Sequence, residues 1–152
     1  MRALRILFVL FLLSVVALAA DSPFTGTWKL NLQKSKPSAG DPTKSDVHHI
    51  VVNNQDITDQ SDWSDGKETQ HIKVEAKLDG KDYPVSGDPN TDMLSYQQKG
   101  ERELTYTTKK AGRISSTGTI VVSKDGRTAT VNYTATTPDG KQETGTVVYD
   151  KQ

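Results

Sequence analysis

Tyr96, Tyr106, Tyr133 and Tyr149, with Trp28 near the start, are the side chains best suited to handling a ligand. Each offers a broad apolar ring with a polar tip, so it can cover a ligand body and orient a ligand head. The four tyrosines fall on the apolar phase of alternating segments, which places them on one side of a sheet. They read either as the walls of a pocket or as ordinary filling of a small barrel. Trp63 reads as a cap at a barrel mouth or as a surface aromatic on a weak strand.

The remaining reactive types point to little chemistry. His48 and His49 are adjacent, so on a strand they face opposite sides and cannot share a metal; His71 could join only one of them. Asp88-Pro89-Asn90-Thr91-Asp92 opens like a calcium loop, but Met93 stands at the required glycine and Lys99 at the bidentate glutamate. An Asx turn accounts for it. Asp56, Asp59, Asp62 and Asp65 recur every third residue, which scatters carboxylates over both faces of a strand, so they read as a solvated loop. The chain has no cysteine, no Gly-x-Ser-x-Gly turn and no phosphate-cradling glycine loop. No catalytic residue, metal or cofactor is assigned, and the chain is not expected to be an enzyme.

The elements that position the aromatics are announced by turns. Asp65-Gly66-Lys67, Asp79-Gly80-Lys81, Asp125-Gly126-Arg127 and Asp139-Gly140-Lys141 are four copies of one tripeptide. Asp-Gly supplies the positive φ angles of a tight hairpin, so each copy is a chain reversal. Between the turns run alternating segments: Phe24, Gly26, Trp28, Leu30 and Leu32; Ile72, Val74, Ala76 and Leu78; Leu104, Tyr106 and Thr108; Ile114, Gly118, Ile120 and Val122; Gly145, Val147 and Tyr149. A further strand spans Val47 to Val52 and a weak one Ile57 to Trp63, while Pro37, Gly40 and Pro42 make Lys34 to Lys44 an irregular connection. The predicted fold is all-β: an antiparallel up-and-down meander of about eight to ten strands, closed into a barrel because an open meander leaves two unpaired edges.

The first twenty residues are of another kind. Arg2 and Arg5 precede the apolar run Ile6 to Leu13, which leads to Ala17-Leu18-Ala19-Ala20. A basic start, a short apolar stretch and small residues form a secretory signal, cleaved after Ala20. One domain, residues 21–152, remains. With Arg2 and Arg5 gone, seventeen basic residues face nineteen acidic ones, a net charge of −2. That balance makes no electrostatic case for nucleic acid or an anionic membrane surface. The expected location is secreted or periplasmic, with no membrane insertion after cleavage.

Phe24-Thr25-Gly26-Thr27-Trp28-Lys29-Leu30-Asn31 resembles the first-strand Gly-x-Trp signature of the lipocalin and fatty-acid-binding-protein group. The resemblance implies that Gly26 permits close backbone approach and that Trp28 plugs one end of a barrel. In lipocalins an arginine of the last strand packs over that Trp; here the last strand closes Val147-Val148-Tyr149-Asp150-Lys151. Fatty-acid-binding proteins hold the ligand carboxylate with an Arg-x-Tyr, and here Val147 stands in the arginine's place. The mature chain is also similar to uncharacterised secreted bacterial lipocalin-like proteins, through Gly26 to Lys36, Asp79 to Val85 and Ser123 to Gly126. The expected role is binding and carriage of a small hydrophobic ligand, with Trp28, Tyr96, Tyr106, Tyr133 and Tyr149 lining the barrel. The alternative is a solid barrel whose loops recognise another protein or the cell envelope.

Overall fold

The computed structural model describes residues 21–137 and 139–152. The expected signal, residues 1–20, lies outside the described residues. Ten strands form the domain: β1 Gly26–Leu30, β2 Ser45–Asn53, β3 Asp56–Ser64, β4 Thr69–Lys77 and β5 Tyr83–Ser86, then β6 Met93–Gly100, β7 Glu103–Lys110, β8 Arg113–Val122, β9 Thr128–Thr136 and β10 Gln142–Lys151. Each pairs antiparallel with its neighbour in sequence, and β10 closes on β1 through Trp28↔Lys151 and Leu30↔Tyr149. No helix occurs among the described residues. Closure satisfies both edges, as the meander argument requires.

The four Asp-Gly tripeptides sit at reversals, with positive φ at Gly66, Gly80, Gly126 and Gly140. In the first three, the Asp carboxylate also accepts amide hydrogens from the turn: Asp65 from Lys67 and Glu68, Asp79 from Lys81, and Asp125 from Arg127. Asp88 likewise accepts from the amide of Asn90, which is the Asx turn read from the sequence.

The core concentrates at the end closed by Trp28, where Phe24, Ile57, Val74, Leu78, Leu104 and Val122 are all buried. Trp28 is 3% exposed, and its indole N–H donates to the Phe24 carbonyl at 2.8 Å. The Lys151 ammonium lies 5.1 Å from the centre of the Trp28 ring. A lysine from the last strand thus stands over this buried tryptophan in a cation–π contact. Gly26, at φ 143°, leaves room for that lysine: a Cβ there would come within 2.4 Å of Lys151 Cε.

Two sequence expectations need correction. Ile114 was placed in phase with Gly118, Ile120 and Val122, yet it is 52% exposed. Between β7 and β8 the register runs Thr108↔Ser116 and then Lys109↔Ile114, so Ser115 is an extra residue. A bulge of this kind shifts the alternation by one and turns Ile114 outward with Lys109. Asp59, read as part of a solvated loop, lies inside β3, a regular nine-residue strand, and is 6% exposed. The period of three in the acidic series hid an ordinary alternation that turns Ile57, Asp59 and Ser61 inward.

Candidate functional site

A row of paired residues crosses the wall: Tyr96↔Tyr106, Tyr106↔Gly118, Gly118↔Tyr133 and Tyr133↔Gly145. The glycines alternate with tyrosines for a steric reason. A Cβ on Gly118 would lie 2.5 Å from Tyr106 Cε1 and 2.6 Å from the Asn132 carbonyl oxygen, and one on Gly145 would lie 2.5 Å from Tyr133 Cζ. The rings therefore lie across the bare backbone of the neighbouring strand, instead of standing upright and filling the lumen.

What this leaves is a cavity of about 240 Å³, bordered at the closed end by Phe24, Trp28 and Leu104 and at mid-height by His48, Asp59 and Tyr96. Tyr106 and Tyr149 also border it. A second compartment of about 250 Å³ lies toward the mouth, between Pro37, Asp41, Asp46, Trp63 and Tyr133. Tyr106, Val131 and Tyr149 border both. Of the five aromatics singled out from the sequence, Trp28, Tyr96, Tyr106 and Tyr149 share the inner cavity, while Tyr133 stands at the mouth.

The proline-broken segment after β1 covers that mouth. Lys36 bridges to Thr146 of β10, and the Ser38 amide donates to the Tyr133 hydroxyl at 3.0 Å. Tyr133 in turn donates to Asp41 at 2.8 Å, and the Trp63 indole N–H donates to Thr43 at 2.8 Å. Trp63 is thus tied to a strap that runs from β9 and β10 across to β3.

Between the compartments sits a polar unit that sequence reasoning missed. His48 Nδ1 is 2.8 Å from Asp59, and its Nε2 is 3.0 Å from Asp46. The hydroxyl of Tyr96 donates to the second oxygen of Asp59 at 2.8 Å, and that of Tyr149 donates to Asp46 Oδ2 at 2.8 Å. The Tyr149 ring meets the His48 ring edge-on, with centres 5.4 Å apart. Strand pairing explains the meeting. On β2 and β3, His48 stands opposite Ser61 and Ile50 opposite Asp59, so His48 and Asp59 are diagonal neighbours on the inner face. Tyr96 belongs to β6 and reaches Asp59 across the interior. Tyr149 of β10 reaches Asp46 past the single strand β1.

Burial alone would push the His48 imidazole toward neutrality, but Asp59 and Asp46 outweigh it by charge and hydrogen bonding, and its pKa stands well above the usual 6.5. Burial would raise the Asp59 carboxyl, yet His48 and the hydrogen bonds from His48 and Tyr96 hold it below its usual value. Burial, with the adjacent carboxylates, keeps Tyr96 and Tyr149 well above 10, so both remain neutral donors. Asp46 Oδ1 is buried and has no hydrogen-bond partner among the described residues. His49 faces outward to Thr27, and His71 pairs with Asp62 on the exposed surface. With both His48 nitrogens engaged, no lone pair is left for a metal, and no metal-binding group of three or more His, Asp or Glu side chains occurs among the described residues.

No protein-family model matches this chain, and no curated protein matches it in sequence. Among solved structures it is similar to the zebrafish ileal bile acid-binding protein complexed with cholic acid. That likeness has a TM-score of 0.55 and 16% sequence identity, and it covers 86% of this chain and 100% of the other. The fold is a ten-stranded antiparallel closed barrel. At this identity the likeness extends to the fold alone.

Proposed function

We propose that the protein binds a small, largely apolar molecule inside the barrel and carries it non-covalently, outside the cytoplasm once residues 1–20 have been removed. The observation that carries this is the inner cavity of about 240 Å³, walled at one end by Phe24, Trp28 and Leu104. A solid barrel acting through its loops would have no use for such a space, and close packing is the norm for protein interiors. The likeness to a bile acid-binding protein supports an interior role through fold geometry.

The volume bounds the ligand. An apolar cavity of about 150 Å³ holds benzene, so about 240 Å³ suits roughly ten non-hydrogen atoms. A single ring with a short chain fits; a four-ring sterol body does not fit the inner cavity alone. Binding rather than catalysis suits the polar unit, because a general base needs a free nitrogen and His48 has none. Its tyrosines are held neutral and already donate to carboxylates, which leaves them poor nucleophiles.

The test is native mass spectrometry of the protein purified from its own host. A retained small molecule that leaves on denaturation, on a chain beginning at Asp21, is the expected result. A clean apo mass with a co-purifying protein would overturn carriage, and a chain retaining residues 1–20 would overturn the location.

A further inference from the structure

We propose that the barrel selects ligands whose polar head is a protonated amine, received by the Asp46–His48–Asp59 unit, and rejects carboxylates of the same length. This rests on the interior-binding proposal above and names the chemistry of its ligand.

Three independent observations lead there. The first is the charge census of the interior. The charged or titratable acid and base side chains bordering the two compartments are His48 and Asp59 on the inner one and Asp41 and Asp46 on the outer one. No lysine or arginine borders either. Three carboxylates against one imidazolium leave a net negative interior, in a low-dielectric setting that strengthens the field felt by an entering charge.

The second is the balance of donors and acceptors. The hydroxyls of Tyr96, Tyr149 and Tyr133 are already given to Asp59, Asp46 and Asp41. Both His48 nitrogens are spent on Asp59 and Asp46. A carboxylate head arriving at the Asp46–His48–Asp59 unit meets acceptors whose own donors are committed, and the other hydroxyls bordering the compartments, those of Tyr106, Thr43 and Ser116, carry no charge to match it.

The third is the orphan acceptor. Asp46 is 8% exposed, borders the mouth compartment, and keeps Oδ1 buried without a partner. A buried carboxylate oxygen left unpaired carries a desolvation cost, and an N–H donor from a ligand removes it. An ammonium supplies both the missing hydrogen bond and the missing positive charge, in the strong charge-assisted form. The apolar tail then lies toward Trp28 and Leu104 in the inner cavity.

The experiment compares n-octylamine, 1-octanol and octanoate by isothermal titration calorimetry on the purified protein at neutral pH. Each has eight carbons and nine or ten non-hydrogen atoms, close to the cavity limit, and they differ in the head. The expected order is octylamine tightest, octanol at least tenfold weaker, and octanoate weakest. A charge-assisted hydrogen bond is worth about ten- to a hundredfold in affinity. Octanol binding as tightly as octylamine, or octanoate binding tightest, overturns the head-group proposal and leaves interior binding intact. Failure of all three to bind overturns both. Asp46→Asn removes the orphan charge while keeping the shape. It is expected to cut octylamine affinity at least tenfold and leave octanol unchanged, and an equal loss for both would overturn the role of Asp46. The comparison on the unaltered protein decides the proposal even if this variant does not fold.

Discussion

The half-buried His48 imidazolium makes a quantitative prediction about stability against pH. His48 has a pKa raised well above 6.5 in the folded protein and an ordinary one in the unfolded chain. Its contribution is therefore complete below pH 6.5 and is lost as pH rises toward the folded-state value. Over that window the native state holds one more proton than the unfolded state, so unfolding free energy falls by about 1.4 kcal/mol per pH unit. Asp59 acts in the opposite range: its pKa is lowered, so its contribution is present above about 3.8 and lost as pH falls through the folded value. The stability maximum lies between the two, in mildly acidic solution. The chain has three histidines, and His49 and His71 face outward, so a His49→Gln/His71→Gln background leaves His48 as the single one. Urea unfolding of that variant, followed by tryptophan fluorescence from pH 5 to 9, is expected to show a plateau near pH 5 to 6. A decline of about 1.4 kcal/mol per unit is expected to begin above pH 6.5. Further replacement by His48→Gln is expected to abolish the slope and to cost about 3–5 kcal/mol, because it leaves two carboxylates without their cation. Stability that stays flat or rises between pH 6.5 and 8.5 in the background variant would show a neutral His48 and refute the electrostatic account of the site.

Two further outcomes follow from the wall and the strap. Gly118→Ala places a methyl group 2.6 Å from the Asn132 carbonyl oxygen and against the Tyr106 ring, so a loss of about 1–3 kcal/mol in urea unfolding is expected; an unchanged midpoint would show that the ring moves freely. Tyr133→Phe removes the hydroxyl that joins Ser38 and Asp41, and amide hydrogen exchange at residues 36–43 is expected to quicken by about tenfold while exchange in β3 and β4 is unchanged.

Legibility in the sequence followed the kind of signal each element carried. β4, with Ile72, Val74 and Ala76 inward and charges outward, was plain, since one face is buried and the alternation is unbroken. β2 was opaque for the converse reason. Its inward set is Asp46, His48, Ile50 and Val52, while Val51 on the outer face is 59% exposed. Hydrophobicity therefore gave no guide to which side faced in, and the two inward polar residues looked like surface ones. A hint existed in the partners: Asp46 and His48 share one phase of β2, and Asp59 shares the phase of Ile57 on β3. Ile114 failed for a different reason, because a bulge at Ser115 leaves no mark in composition.

Local chemistry therefore determined much of this protein. The Asp-Gly reversals and the alternating strands set the meander and its aromatic lining, because turn dihedrals and period-two burial are properties of neighbours in the chain. Whether the aromatics would fill the barrel was a tertiary matter. Glycines on adjacent strands, Gly118 against Tyr106 and Gly145 against Tyr133, let the rings lie against the wall and keep a cavity open. The polar unit also needed closure. Tyr96 meets Asp59 across 37 residues and Tyr149 meets Asp46 across 103, and only curvature of the sheet into a barrel brings such distant strands onto one interior.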